Sequence, residues 1–435
     1  MAKVTPRRLA GFIELPPMHQ LQFDEMMVKI KKVFQTHCFV PLDTPVLELS
    51  EILLAKSGGD IDKEVYRFSK GSTDMCMRYD FTVPLARYVA MNINELNFPF
   101  KRYQMGKVYR GERPQKGRLR EFYQCDADII GLDNLPLPAD AECISLAKEC
   151  FDALNLETVT EISDRNLLSG LIEDLKLQHL TNNILILLDK LDKIGKEKVL
   201  EGLAELGIKQ EDCQKLSNLV LIQGSLSHIL PSLKSFSDNE RFISGINNLI
   251  ELDGLLKSFG LKESDYNFNL SIIRGHNYYT GTVFESYLKN HRDWPALCGG
   301  GRFENLANYY TDKNLPGVGM SIGLSRVFDL LCTNNLLPAI KQSLTDLFII
   351  PLGDTINHCI SLSSLFIKNN INCEVAFDNK SFKNKLKEAN KRGVEYVLIV
   401  GEDEVNSKLY TLKNMRTSTQ KILSSDEIIK ILKEV

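Results

Sequence analysis

The stretch YRGERPQKGRLREFYQCDADIIG, residues 109–131, constrains the fold more than any other part of the chain. It sets a turn containing Pro114 and Gly117 between two strand-like runs, so the chain folds back on itself as an antiparallel pair. From Arg120 onward the residues alternate, which puts Arg120, Phe122, Gln124, Asp126 and Asp128 on one face of a strand. That face is aromatic and polar at once. A solvent face seldom needs a ring among carboxylate, amide and guanidinium groups, whereas a site that stacks a flat ring and holds charged substrates does. The turn and its flank carry Arg110, Arg113, Lys116 and Arg118, and charge alone leaves a solvated hairpin tip equally open.

Further strand-like runs, VYRFS and MCMRYDFTVPL, precede this pair and are joined by short turns instead of regular helices, which predicts a mainly antiparallel sheet with flanking helices. Before them, LQFDEMMVKIKKVFQTHC has helical spacing and feeds an extended run, FVPLDTPVLELS, broken by Pro41 and Pro45. The helix is either part of a dimer surface or packed on its own sheet. From about Ala139 to Gly260 the pattern turns helical, an insertion whose Leu-rich stripes read as core. Strand character returns in NFNLSIIRGHNYYTGTVFESYL, ALCGGGRFENL and GVGMSIGLSRVFDLL. After Ser343, apolar runs alternate with helical ones, the sign of a separate small α/β domain with a partly parallel sheet.

A chain of 435 residues has room for two or three domains. With 53 basic against 56 acidic residues and a net charge of -3, indiscriminate nucleic-acid binding is disfavoured, and any contact with nucleic acid must be local. One such patch is residues 380–392, where Lys380, Lys383, Lys385, Lys387, Lys391 and Arg392 oppose only Glu388. The ten cysteines form no CxxC pair and the seven histidines no HExxH, so the thiols read as reduced and buried and no structural metal is expected. No apolar run approaches a membrane span, and MAKVTPRRLAGF lacks the apolar core of a secretory signal; the expected location is the cytoplasm.

The chemistry-bearing residues converge on a nucleotide. No GxxxxGK[ST] occurs, so ATP would be held by side chains on strands. Arg110 can fork onto a phosphate or carboxylate, Phe122 offers a face to a base, and Glu112 or Arg118 reaches its edges or tail. In GVGMSIGLSR, Gly317, Gly319 and Gly323 permit close approach and Arg326 follows; with Arg110 it can grip opposite ends of a triphosphate. RGHNYYTGTVFE supplies Arg274 with Tyr278 and Tyr279, and Gly299 to Gly301 make either a loose turn or bare backbone for a ligand. RYDFT is expected to end a strand with Asp80 and Thr82 on one face, suited to an ammonium group or merely an exposed edge.

Together these segments resemble class II aminoacyl-tRNA synthetases, specifically the histidyl-tRNA synthetase family, over nearly the whole chain. FKRYQMGKVYRGERPQKGRLREFYQCDADIIG is similar to motif 2, GVGMSIGLSR to motif 3, and the run ending at Pro45 to the dimer-forming motif 1; RGHNYYTGTVFE and CGGGRFENL look like the two histidine-specific motifs. The resemblance implies an α+β fold: a class II antiparallel-sheet catalytic domain over 1–343 with a mainly helical insertion at about 165–262, and an α/β anticodon-binding domain over 344–435, in a homodimer. By resemblance, Asp80, Thr82 and Gln124 take the α-ammonium of L-histidine, and Asp128 with Tyr279 the imidazole, beside Tyr278. ATP, carried with Mg2+, falls to Arg110, Glu112, Arg118, Phe122 and Arg326, and Arg274 meets the α-phosphate; Arg110 and Arg274 are the catalytic pair. The implied activity joins histidine to tRNA(His) through an adenylate, with Lys116 near the acceptor end. The family usually has Leu-Asp where this chain has His276 and Asn277, which removes an acid that could orient Arg274. Two alternatives stand beside this expectation: a catalytically silent, histidine-binding regulatory relative such as the regulatory subunit of ATP phosphoribosyltransferase, and an enzyme for another amino acid.

Overall fold

The computed structural model describes residues 3–55, 61–114, 117–273, 279–304, 306–337 and 343–434. The chain divides into two compact units, Met1–Glu14 with Phe23–Leu336, and Leu15–Gln22 with Leu337–Val435. The larger unit is built on a nine-stranded sheet. In spatial order its strands are Val40–Pro41, Phe100–Tyr109, Glu121–Ile130, Gly317–Ile322, Cys298–Phe303, Tyr279–Leu288, Thr158–Asp164, Tyr266–Asn269 and Gln223–Gly224. Two neighbouring pairs, Val40–Pro41 with Phe100–Tyr109 and Thr158–Asp164 with Tyr266–Asn269, run parallel; the others are antiparallel. The mainly antiparallel sheet expected from the short connections is therefore what forms.

Strand alternation gives this sheet two different faces. Its back carries Tyr103 and Tyr123, against which the helix Pro17–Thr36 lays Phe34 and Phe23, with ring centroids 5.5 and 5.2 Å apart. Phe23, Met26, Ile30 and Phe34 are buried, at helical spacing, so this part of the helix packs on its own sheet. The helix Pro138–Ala153 also backs the sheet, and its buried Asp140 pairs with Arg302 at 2.5 Å. The front face is left for the site.

The stretch expected to be helical from about 139 to 260 is interrupted first by Thr158–Asp164, a strand of the main sheet; from Arg165–Asp174 to Glu240–Ser258 the insertion is helical, except that Gln223–Gly224 extends the sheet beside Tyr266–Asn269. Here tertiary pairing overrides the local helical composition. A separate three-stranded sheet orders Leu47–Leu49, Thr73–Met77 and Arg67–Lys70. In the smaller unit the order is Cys373–Val375, Leu347–Pro351, Tyr396–Val400, Tyr410–Asn414 and Gln420–Leu423, the first three parallel and the last two antiparallel. Among the described residues no helix is long and apolar enough to cross a membrane.

Candidate active site

Register explains the site. Arg102 lies opposite Asp128, Asp128 opposite Gly319, and Gly319 opposite Gly301, a single row across four strands of the front face. Residues paired across strands point to the same side, so this row is a continuous strip of side chains. Asp128 spans it: Oδ2 is 2.8 Å from Arg102 Nη2, and Oδ1 lies over Gly319, where an added Cβ would come within 2.0 Å. At the other end the Tyr279 ring lies over Gly301, with Cδ1 3.0 Å from where its Cβ would stand. The two glycines thus give a strip without side chains of its own, on which a carboxylate lies at one end and a phenol at the other. Gly300 points to the back face, where the Phe284 ring fills the place of its side chain. On the front Gly299 is open and Gly301 lies under the Tyr279 ring, while Gly300 is packed on the back.

The next row pairs Gln104 with Asp126 and Asp126 with Ser321. Ser321 Oγ donates to Asp126 Oδ1 at 2.5 Å and accepts from Gln124 Nε2 at 2.9 Å. Gln124 Oε1 is buried and has no hydrogen-bond partner among the described residues. Burial, then the neighbouring Asp128 charge, pushes the Asp126 carboxyl up to about 8. Asp128 is pushed up to about 6 by burial, with Arg102 opposing the shift and Asp80 adding to it. The pocket therefore gathers three carboxyl groups around one fully buried guanidinium.

Asp80 lies beside this pocket, close enough for its charge to act on Asp126 and Asp128, but neither it nor Thr82 is on a strand. The preceding strand ends at Met77, and Thr82 opens the helix Thr82–Met91. Asp80 Oδ1 accepts the N–H groups of Thr82 and Val83, at 3.1 and 3.0 Å, and Pro84 falls in the first turn, where a missing N–H costs nothing. A capping carboxylate and an early proline favour helix over the expected extended edge. The segment lies over the front of the sheet, where Phe81 O accepts from Arg102 Nη2 at 3.1 Å.

Among the described residues, Arg110, Arg118 and Arg326, expected to hold ATP, come together. Arg326 is anchored by Nη1 to Ala296 O at 2.6 Å and by Nε to Gly117 O at 3.1 Å. Burial lowers its pKa, and the charges of Arg110 and Arg118 lower it further, the mark of three guanidinium groups sharing one region. Such a cluster attracts a polyanion. Arg110 lies over the rings of Tyr79 and Phe122, at 4.4 and 5.1 Å, and Glu112 Oε2 is 3.3 Å from Arg118 Nη1. Lys116, Arg274, His276, Asn277 and Tyr278 lie outside the described residues.

Sequence reasoning assigned no role to Arg102. Its signal was its parity with Gln104 and Gly106, which places it on the front face. The basic stretch at 380–392 also differs from expectation. Lys380 pairs with Asp378 at 2.8 Å and with Glu388 at 2.5 Å, Arg392 bonds Glu374 at 3.0 Å through Nη1, and Lys385 is buried. Lys383, Lys387 and Lys391 remain exposed, four residues apart on the helix Phe382–Lys391.

Known proteins resemble this chain along its whole length. The family model described as histidyl-tRNA synthetase matches residues 11–327, and the anticodon binding domain model matches 346–435. The chain is 42% identical over 429 residues to a histidine–tRNA ligase of Clostridium acetobutylicum, covering 98% of this chain and 99% of that protein. A crystal structure of histidyl-tRNA synthetase from Nostoc sp. PCC 7120 superposes with a TM-score of 0.89 at 30% identity, covering 99% of this chain and all of that one. A Bacillus halodurans structure described as an ATP phosphoribosyltransferase regulatory subunit/histidyl-tRNA synthetase has a TM-score of 0.77 at 18% identity over 92% of this chain, and shares the fold alone.

Proposed function

This chain belongs to the histidyl-tRNA synthetase family, and from that premise we propose how its own residues carry the reaction. Its function is histidine–tRNA ligation: L-histidine is activated by ATP to histidyl-adenylate, with release of pyrophosphate, and the histidyl group passes to the 3′ end of tRNA(His). In our reading residues 1–343 carry the chemistry and 344–435 the anticodon contacts.

The observation that carries the amino-acid pocket is the glycine strip between Asp128 and Tyr279, which we read as the floor of a trough. An imidazole is flat and has two different ring nitrogens. A carboxylate on one wall accepts from the N–H, and the phenol on the other meets the second nitrogen. Arg102 opposes the rise in the Asp128 pKa and so favours the ionised acceptor. Gln124 Oε1 takes the α-ammonium, with Asp80 and Thr82 beside it, and Tyr278 completes the pocket.

The cluster of Arg110, Arg118 and Arg326 supports ATP binding, with Glu112 and Phe122 toward the base and Mg2+ entering as part of the substrate complex. The histidine carboxylate attacks the α-phosphorus in line, and charge grows on the phosphate oxygens. Arg110 and Arg274 stabilise that charge in the transition state, and no protein nucleophile is needed. Homodimer formation is supported by the exposed Leu47, Leu49 and Met91, which line a cavity of about 850 Å³ together with Met75 and Tyr309. A role in protein synthesis fits a cytoplasmic location.

ATP/pyrophosphate exchange with each amino acid supplied separately tests this reading. Histidine alone should support exchange, and charging of tRNA(His) should follow. Exchange driven by another amino acid, or histidine binding without exchange, overturns it.

A further inference from the structure

We propose that Ser321 and Asp126 form a positioning relay that fixes the direction of the Gln124 side-chain amide, so that its carbonyl and not its NH2 faces the α-ammonium of the bound amino acid. The proposal rests on the reading of Gln124 as the ammonium acceptor.

The two ends of an amide are alike in shape and opposite in hydrogen-bonding sense. A Gln124 turned the wrong way presents two donors to a cationic donor, and repels what it should hold. Packing cannot tell the two orientations apart, so a hydrogen bond must. Ser321 alone cannot either, because a hydroxyl donates or accepts as its surroundings require. Asp126 removes that freedom. Its Oδ1 accepts the hydrogen bond of the Ser321 hydroxyl at 2.5 Å, so the hydroxyl oxygen is left to accept from Gln124 Nε2 at 2.9 Å. The remaining end, Oε1, is buried and has no partner among the described residues. A buried acceptor without a donor is costly, and an incoming ammonium satisfies it.

The sheet holds this relay rigidly. Asp126 and Ser321 are directly paired across adjacent strands, and Asp126 is 3% exposed. Asp128, Asp80, Arg102 and Arg78 act on Asp126 from the surrounding elements. Burial keeps Asp126 protonated to about pH 8, and with that proton on the oxygen turned away from Ser321, Oδ1 still accepts and the sense of the relay is kept. An asparagine side chain in its place can accept in the same way.

The test is a double-mutant cycle read by ATP/pyrophosphate exchange on the full-length protein, with histidine and ATP dependence measured separately. Ser321→Ala should raise the histidine KM about tenfold, the size of one positioning hydrogen bond, while kcat and the ATP KM stay within about twofold. Ser321→Thr, which keeps the hydroxyl, should recover most of the loss. Asp126→Ala should behave like Ser321→Ala, and Asp126→Asn should rescue it. In a Gln124→Ala background Ser321→Ala should add nothing, because its effect passes through Gln124. An equal effect of Ser321→Ala in both backgrounds, or no effect where Gln124→Ala itself raises the histidine KM, overturns the relay and leaves the Gln124 reading standing. If Gln124→Ala leaves the histidine KM unchanged, the ammonium assignment falls and the relay falls with it.

Discussion

Gly319 sits directly opposite Asp128 in the sheet, and the Asp128 carboxylate occupies the space that a side chain at 319 would need, with Oδ1 2.0 Å from the missing Cβ. The glycine is thus what allows Asp128 to reach across the trough. Gly319→Ala should displace the carboxylate and raise the histidine KM about tenfold or more, with the ATP KM far less affected. Exchange assays varying each substrate in turn check this, and an unchanged histidine KM would separate Asp128 from the ring.

Asp128 and Arg102 should behave as a pair. Arg102 is fully buried and Asp128 nearly so, so removing either partner strands a charge in a dry site. Arg102→Met should cost roughly 3 kcal/mol, seen as a clear drop in Tm. Combining it with Asp128→Asn should restore part of the loss, since the carboxylate that Arg102 pairs directly is then gone. Additive losses in the double variant would show that the two side chains do not depend on each other.

Asp126 predicts how stability changes with pH. Its folded pKa, about 8, stands far above the ordinary value of 3.8, so the folded state holds a proton that the unfolded chain releases. The stability this contributes is fully present below about pH 4 and is lost as pH rises toward 8. An asparagine side chain has no such proton to release. The Tm of Asp126→Asn relative to wild type should therefore climb between pH 4 and 8, by roughly 5 °C, and then level off. Parallel melting curves across that range would show instead that Asp126 is ionised in the folded protein.

In the smaller unit, Lys383, Lys387 and Lys391 form the exposed row suited to phosphate contact. Replacing all three by alanine should weaken tRNA binding and lower the slope of log affinity against log salt by about one for each phosphate no longer neutralised. Histidine-dependent exchange, which needs no tRNA, should persist. Aminoacylation at several salt concentrations decides the matter: an unchanged slope would leave these lysines merely solvated.

What could be read in advance followed from local period and what could not followed from register. The front face of Glu121–Ile130 was legible because alternation alone places Phe122, Gln124, Asp126 and Asp128 together. Arg102 was not, because its pairing with Asp128 depends on how two strands align across a long turn, and only two-residue turns set that alignment tightly. Ser321 lies 195 residues from its partner Asp126, and no local pattern spans such a gap. Asp80 and Thr82 open a helix and do not end the strand expected of them, since the capping carboxylate and Pro84 speak for a helix start. The basic stretch was counted as charge when half of it is spent on neighbouring acids and burial, a distinction that composition does not contain.

The floor of the trough also sets a direction for change in substrate range. Gly301 and Gly319 already carry the smallest side chain there is, so any substitution raises the floor and none lowers it. A larger amino acid cannot be admitted from below. Variants that accept one must move a wall, at Asp128 or Tyr279, and on the reading proposed above give up a contact with the ring in doing so. Variants at the floor can only make the enzyme more exclusive, or close it.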